Sequence, residues 1–149
     1  MNQTPYLYEG IGQERYIFTS TGKKTIVKIA EFTRATDGNI VNLGFGDLLP
    51  DGRLDDRAIS NNGDIIKIFA TLIVIIKEFA ARFPHLKIAF TGSTPERTKM
   101  YNRILTMYYT EFSREFKITG IIEHPKMRGE VDFEPDILRK YLFYFVKKI

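Results

Sequence analysis

The 149 residues contain no cysteine and no tryptophan, and only two histidines. Without cysteine, disulfides, thiolate metal sites and a cysteine nucleophile are excluded together. His85 follows Pro84 and His124 opens a polar stretch, so neither has a sequence-local nucleophile. With no G-x-S-x-G elbow in the chain, a hydrolytic triad has no support. Thr91-Gly92-Ser93-Thr94 has neither the spacing nor the Gly-Lys-Ser/Thr ending of a P-loop. Long apolar runs are also missing. The most hydrophobic stretch, Ile65 to Ile76, is broken by Lys67 and Thr71 and falls short of the roughly 20 residues a bilayer span needs. The N-terminus, MNQTPYLYEG, lacks the basic start and apolar stretch of a signal peptide, so a cytoplasmic protein without membrane contact is expected.

What is present fits one globular domain over residues 1–149, with 44% hydrophobic and 27% charged residues. Twelve phenylalanines and eight tyrosines make a bulky core. The net charge of +4 is carried after residue 60, where 15 basic residues face 10 acidic ones, against 7 and 8 before it. Such a mild excess fits weak attraction to phosphates, but a solvated surface is the better account of it.

Tyr16 to Thr19 and Thr25 to Thr33 read as strands joined by Thr21-Gly22-Lys23-Lys24. Asp37-Gly38 is a hairpin signal, and Ile40 to Leu48 supplies the next antiparallel strand, with Gly44 and Gly46 marking a bulge or a close approach. Asp47 to Asp64 is polar. Its aspartates lack calcium-loop spacing, so no metal is expected; Asp51 to Arg53 form a turn, and Asn61 or Asn62 caps the following helix with Asp64 in its first turn. Asp64 to Arg82 is a helix whose polar positions form a narrow stripe, so most of its surface is covered. Phe83-Pro84 ends it.

Leu86 to Phe90 is a strand, followed by a glycine turn and a second helix from about Pro95 to Phe116. Ser93 and Glu96 have capping-box spacing, and Pro95 suits a first helical position. Tyr101, Ile104, Leu105, Tyr108 and Phe112 share the face turned to the core. Lys117 to Glu123 and Tyr141 to Lys148 are the last strands, separated by a polar loop from His124 to about Arg139; for the final segment the aromatic density favours a strand over a helix. The order β-β-β-α-β-α-β-β predicts an α+β (mixed α/β) fold with an antiparallel-rich sheet of about six strands and two long helices.

The strand-turn-helix at Gly92 to Thr98 is where chemistry would gather. Amides at a helix start, the hydroxyls of Ser93, Thr94 and Thr98 and the guanidinium of Arg97 converge on a phosphate or carboxylate of a small ligand, with Asp47, Asn62, Asp64 and Tyr101 as neighbours. The plainer alternative is that Ser93 and Thr94 only cap the helix and Arg97 pairs with a surface acid. A protein- or nucleic-acid-binding module using the basic second half, with aromatics and lysines interleaved from Tyr141 to Lys148, is a third class.

The element order resembles that of the GCN5-related N-acetyltransferases over about residues 15–148. The resemblance implies an acyltransferase using acetyl-coenzyme A, with Tyr101 in Arg97-Thr98-Lys99-Met100-Tyr101 as the tyrosine that protonates the leaving thiolate. The stretch corresponding to that family's pyrophosphate loop is Ser60-Asn61-Asn62-Gly63-Asp64, of which Gly63 alone fits. A fuller likeness is to short uncharacterised bacterial proteins with segments N-L-x-F-G-D, N-N-x-D-x-x-x-x-x-A-T and G-S-T-x-x-R-T-x-x-Y. Here these are Asn42 to Asp47, Asn61 to Asp64 with Ala70-Thr71, and Gly92 to Thr98 with Tyr101. This likeness implies no particular activity or cofactor.

Overall fold

A computed structural model describes residues 3–55, 62–124, 127–135 and 139–149. It is an α+β structure with a mostly antiparallel sheet of nine strands, in the order β1-β2-β3-β4-β6-β9-β7-β8 with β5 pairing β4, and three helices. The chain groups into two compact units, Met1–Thr33 with Leu43–Phe83 and Arg34–Asn42 with Pro84–Ile149, here unit 1 and unit 2. None of the helices is long and apolar enough to cross a membrane among the described residues.

Unit 1 holds β1 (Tyr8–Ile11), β2 (Arg15–Thr21), β3 (Thr25–Arg34, to Thr33), most of β4 (Ile40–Leu48), the two-residue β5 (Leu54–Asp55) and α1 (Ile65–Arg82). The β2–β3 hairpin closes at Thr21 opposite Thr25, around the predicted Gly22 turn. A Cβ on Gly22 would lie 1.8 Å from the carbonyl oxygen of Asn62, so close approach of another backbone demands the glycine here. β4 runs through Gly44 and Gly46, and Leu54 of β5 lies 3.7 Å from where a Gly44 Cβ would stand. The second turn falls at Asp51 to Arg53 as expected, with Gly52 at a φ of +87°.

The apolar face of α1 forms the core of the unit. Ile68, Phe69, Leu72, Ile73, Ile75, Ile76 and Phe79 are buried, and Phe79 stacks on Phe32 of β3 at 3.9 Å between ring centroids. Thr71 belongs to the polar stripe yet is buried, because its Oγ1 accepts the Tyr6 amide (2.9 Å) and donates to the Lys67 carbonyl (2.7 Å). The expected asparagine cap is corrected here. Asp64 occupies the cap position without a side-chain cap bond, Asn62 is engaged elsewhere, and Asn61 lies outside the described residues.

Unit 2 holds β6 (Lys87–Phe90), α2 (Pro95–Met107), α3 (Tyr109–Phe112), β7 (Phe116–His124), β8 (Met127–Asp132) and β9 (Phe143–Lys148). β9 pairs with both β6 and β7, and the final segment is a strand, as its aromatic density indicates. The single long second helix is in fact two: it breaks at Tyr108, in a Tyr-Tyr-Thr run of weak helix formers. Its core face is as expected, with Tyr101, Ile104, Leu105, Tyr108 and Phe112 all buried.

The count of about six strands is also revised. β1, β5 and β8 are added, and β8 crosses the stretch read as a polar loop. β8 is held through charge rather than apolar burial: Glu130 accepts from Lys87 Nζ (2.8 Å) and Thr119 Oγ1 (2.6 Å), and Asp132 pairs with Lys117 at 2.7 Å. Burial pushes the Glu130 carboxyl upward, but the bonds from Lys87 and Thr119 and the Lys87 charge outweigh it and hold the group below its ordinary value.

Candidate functional site

α2 begins with a cap one residue later than the capping-box spacing predicts. Pro95 takes the first helical position, so Thr94 is the cap, and its Oγ1 accepts the Arg97 amide at 3.2 Å. The Thr98 amide bonds the Thr94 carbonyl (3.1 Å), and Thr98 Oγ1 donates to the same oxygen at 3.3 Å. Proline has no N–H. The expected cradle of amides is therefore smaller: Pro95 offers none, and the Arg97 and Thr98 amides are bonded to Thr94. Gly92 is needed because a Cβ there would meet Thr98 Oγ1 at 2.5 Å and the Thr98 amide nitrogen at 2.6 Å.

This tight turn walls a cavity of about 560 Å³ that lies wholly within unit 2. Gly92, Ser93, Thr94, Thr98 and Asn102 come to it from the turn and α2, and Tyr141, Leu142 and Tyr144 from the C-terminal segment. Three cations, Lys99, Arg139 and Lys140, complete the lining with Pro95, and no carboxylate belongs to it among the described residues. Lys99 and Lys140 are exposed, while Arg139 lies 3.5 Å from Glu134.

The apolar wall is rigid. A Cβ on Gly120 of β7 would fall 2.2 Å from the Tyr141 ring, so that ring beds on bare backbone, and it also packs against Phe133 and Tyr144 at 5.5 and 5.2 Å. The Tyr141 hydroxyl accepts the Glu134 amide (3.2 Å). Tyr144 accepts from Asn102 Nδ2 at 3.0 Å, and Thr106 Oγ1 donates to Asn102 Oδ1 at 3.3 Å. Burial raises the Tyr144 phenol above its ordinary value, the Asn102 bond acting the other way, so the group is a neutral hydroxyl near pH 7.

Of the nine residues singled out in the sequence, Gly92, Ser93, Thr94 and Thr98 meet at this cavity. Arg97 and Tyr101 do not line it. Arg97 is 7% exposed, with Nη1 donating to Met100 Sδ at 3.6 Å, and Tyr101 is 1% exposed, its ring 5.4 Å from Phe90. Positive charge comes instead from Lys99, Arg139 and Lys140, which the sequence reading passed over together with Asn102, Tyr141, Leu142 and Tyr144. Helical spacing held the signal. Thr94, Thr98 and Asn102 recur every four residues on one face of α2, whereas Arg97, Tyr101, Ile104 and Tyr108 recur on the buried one.

Asp47, Asn62 and Asp64 belong to unit 1 and have partners there. Asp47 pairs with buried Lys28. Asn62 accepts the Lys24 amide (2.7 Å) at Oδ1, donates from Nδ2 to the Lys24 carbonyl and Ser20 Oγ (2.8 and 2.9 Å), and offers its carbonyl to the Lys23 amide. Asp64 Oδ2 accepts from the hydroxyls of Tyr6 and Ser20, each at 2.5 Å. Asp47 ties β4 to β3, whereas Asn62 and Asp64 fasten the β2–β3 hairpin and Tyr6 to the start of α1. Tyr141, Tyr144 and Phe145 of the C-terminal segment are buried, so base stacking has no exposed ring at these three positions.

A family model matches residues 2–149. The chain belongs to DUF6934, a family of unknown function. The expectation of an uncharacterised family is met over nearly the whole length. No curated protein and no solved structure matches the chain. For this DUF6934 member, any statement of activity rests on the cavity and its chemistry.

Proposed function

We propose that unit 2 binds a small organic molecule through a phosphate or carboxylate received beside the Gly92 to Thr98 turn. The observation that carries this reading is a cavity of about 560 Å³ whose lining, among the described residues, includes three cations and no anion. Its size falls within the roughly 300–1,000 Å³ of small-molecule sites, well beyond what an inorganic ion fills. The start of α2 adds positive potential on the same side. Arg97 has a packing role in this reading, and Lys99 and Lys140 supply the attraction.

Phenyl phosphate is a suitable probe. Its affinity, followed by amide chemical shifts, is expected to fall at least about tenfold in Lys99→Ala/Lys140→Ala, a loss of two charge-assisted contacts. Equal affinity in the double variant would contradict the proposal.

Acyl transfer is the second reading, drawn from element order and Tyr101. Tyr101 is buried against Phe90, and Asp64 is engaged by Tyr6 and Ser20, so neither supports a coenzyme site. Calorimetry with coenzyme A at millimolar concentration separates the two readings: heat saturating with one coenzyme per chain would favour the acyltransferase. Band shifts with nucleic acid at low salt test the interaction-module reading in the same way.

A further inference from the structure

Resting on the binding reading above, we infer that the ligand carries a hydrogen-bond acceptor, such as a carbonyl, that Tyr144 and Asn102 read in the unit 2 cavity.

The argument starts from the unused proton of a buried hydroxyl. Tyr144 is 2% exposed, and its oxygen accepts from Asn102 Nδ2 at 3.0 Å. The Asn102 amide nitrogen faces the phenol, while its Oδ1 lies 3.3 Å from Thr106 Oγ1, a hydroxyl that also lies 3.5 Å from the Pro135 carbonyl. Because Tyr144 receives a hydrogen in this contact, its own O–H must go elsewhere. Among the described residues it has no acceptor. Both Tyr144 and Asn102 line the cavity, so a molecule bound there reaches the pair directly.

The surroundings make that donor selective. The neighbouring wall is the Tyr141 ring, fixed on Gly120, with Leu142 beside it. An acceptor arriving there satisfies a hydroxyl that an apolar group of the same shape leaves unpaired. Lys99 and Lys140 of the same lining meet the charge of that molecule. The ligand class is thus an organic anion with an apolar body and a carbonyl-type oxygen.

Two aryl phosphates test this: 4-acetylphenyl phosphate and 4-isopropylphenyl phosphate, close in shape and differing in the carbonyl oxygen. The wild-type protein is expected to bind the acetyl compound about five- to tenfold more tightly, the worth of one neutral hydrogen bond. Tyr144→Phe is expected to erase that preference, the acetyl and isopropyl compounds then binding within about twofold of each other. Asn102→Ala, which frees the phenol to rotate, is expected to reduce the preference and provides a second variant should Tyr144→Phe fold poorly. Equal wild-type affinities for the two compounds, or a preference that survives Tyr144→Phe, would overturn the inference while binding of phenyl phosphate left the cavity reading standing. Failure of wild type to bind any of the three would overturn both.

Discussion

Asn62-Gly63-Asp64 and Gly92-Ser93-Thr94 are both short polar turns with a glycine, and each opens a long helix. In unit 1 the polar atoms are spent inward. Asn62 makes three side-chain bonds and one backbone bond to the hairpin turn and Ser20, and Asp64 takes two hydroxyls instead of capping α1. In unit 2 the cap is a local Thr94 contact, and the remaining groups of the turn line a cavity beside three cations. Similar residues at similar places act in one case as a fastening and in the other as a wall. At Asn62 it is a distant segment, the turn at Gly22, that takes up the bonds.

The largest effect expected from breaking this comparison comes at that point of arrival. Gly22→Ala forces a methyl into the Asn62 carbonyl and should cost about 3 kcal/mol or more, read as a drop in the urea midpoint. Gly38→Ala meets no atom within 4 Å and should change stability by less than about 0.5 kcal/mol. Matching losses at the two glycines would dissolve the fastening. Next is Asp64→Asn, which weakens the two hydroxyl bonds to the carboxylate; a loss of about 2 kcal/mol is expected with phenyl phosphate affinity unchanged. Thr94→Ala removes a cap and should cost about 1 kcal/mol in a denaturation curve.

The smallest effect is a pH dependence. The Glu130 carboxyl lies below its ordinary value when folded, so its contribution is present above the unfolded value and fades as acid passes through the folded one. The stability gap between wild type and Glu130→Gln should therefore be open at pH 7 and narrow toward pH 3. A gap that widens in acid would reverse the assignment.

Much of this architecture is legible in the residues. The 3.6-residue spacing of Ile65 to Phe79 and of Tyr101 to Phe112 marks faces that are buried, and the turns at Gly22 and Asp37-Gly38 mark hairpins, because these signals are local. β8 is not legible in that way. Its sequence, MRGEVD, carries little apolar alternation, and its pairing draws on Lys87, Lys117 and Thr119, residues distant in the chain. For the site, the turn at Gly92 to Thr98 can be read from spacing, whereas the second wall comes from Tyr141 and Tyr144 some forty residues on. The choice of Arg97 over Lys99 followed charge and overlooked helical phase. Asn62 and Asp64 look like helix-start residues and are claimed by long-range partners that no local pattern announces.

The most direct measurement is a two-dimensional amide spectrum of the wild-type protein titrated with phenyl phosphate. Saturable shifts at Gly92, Ser93, Thr98 and Leu142, with the amides of Asn62 and Asp64 unmoved, are the predicted result. Shifts centred on Asn62 to Asp64, or none at the Gly92 turn, would contradict the assignment of the cavity as the binding site.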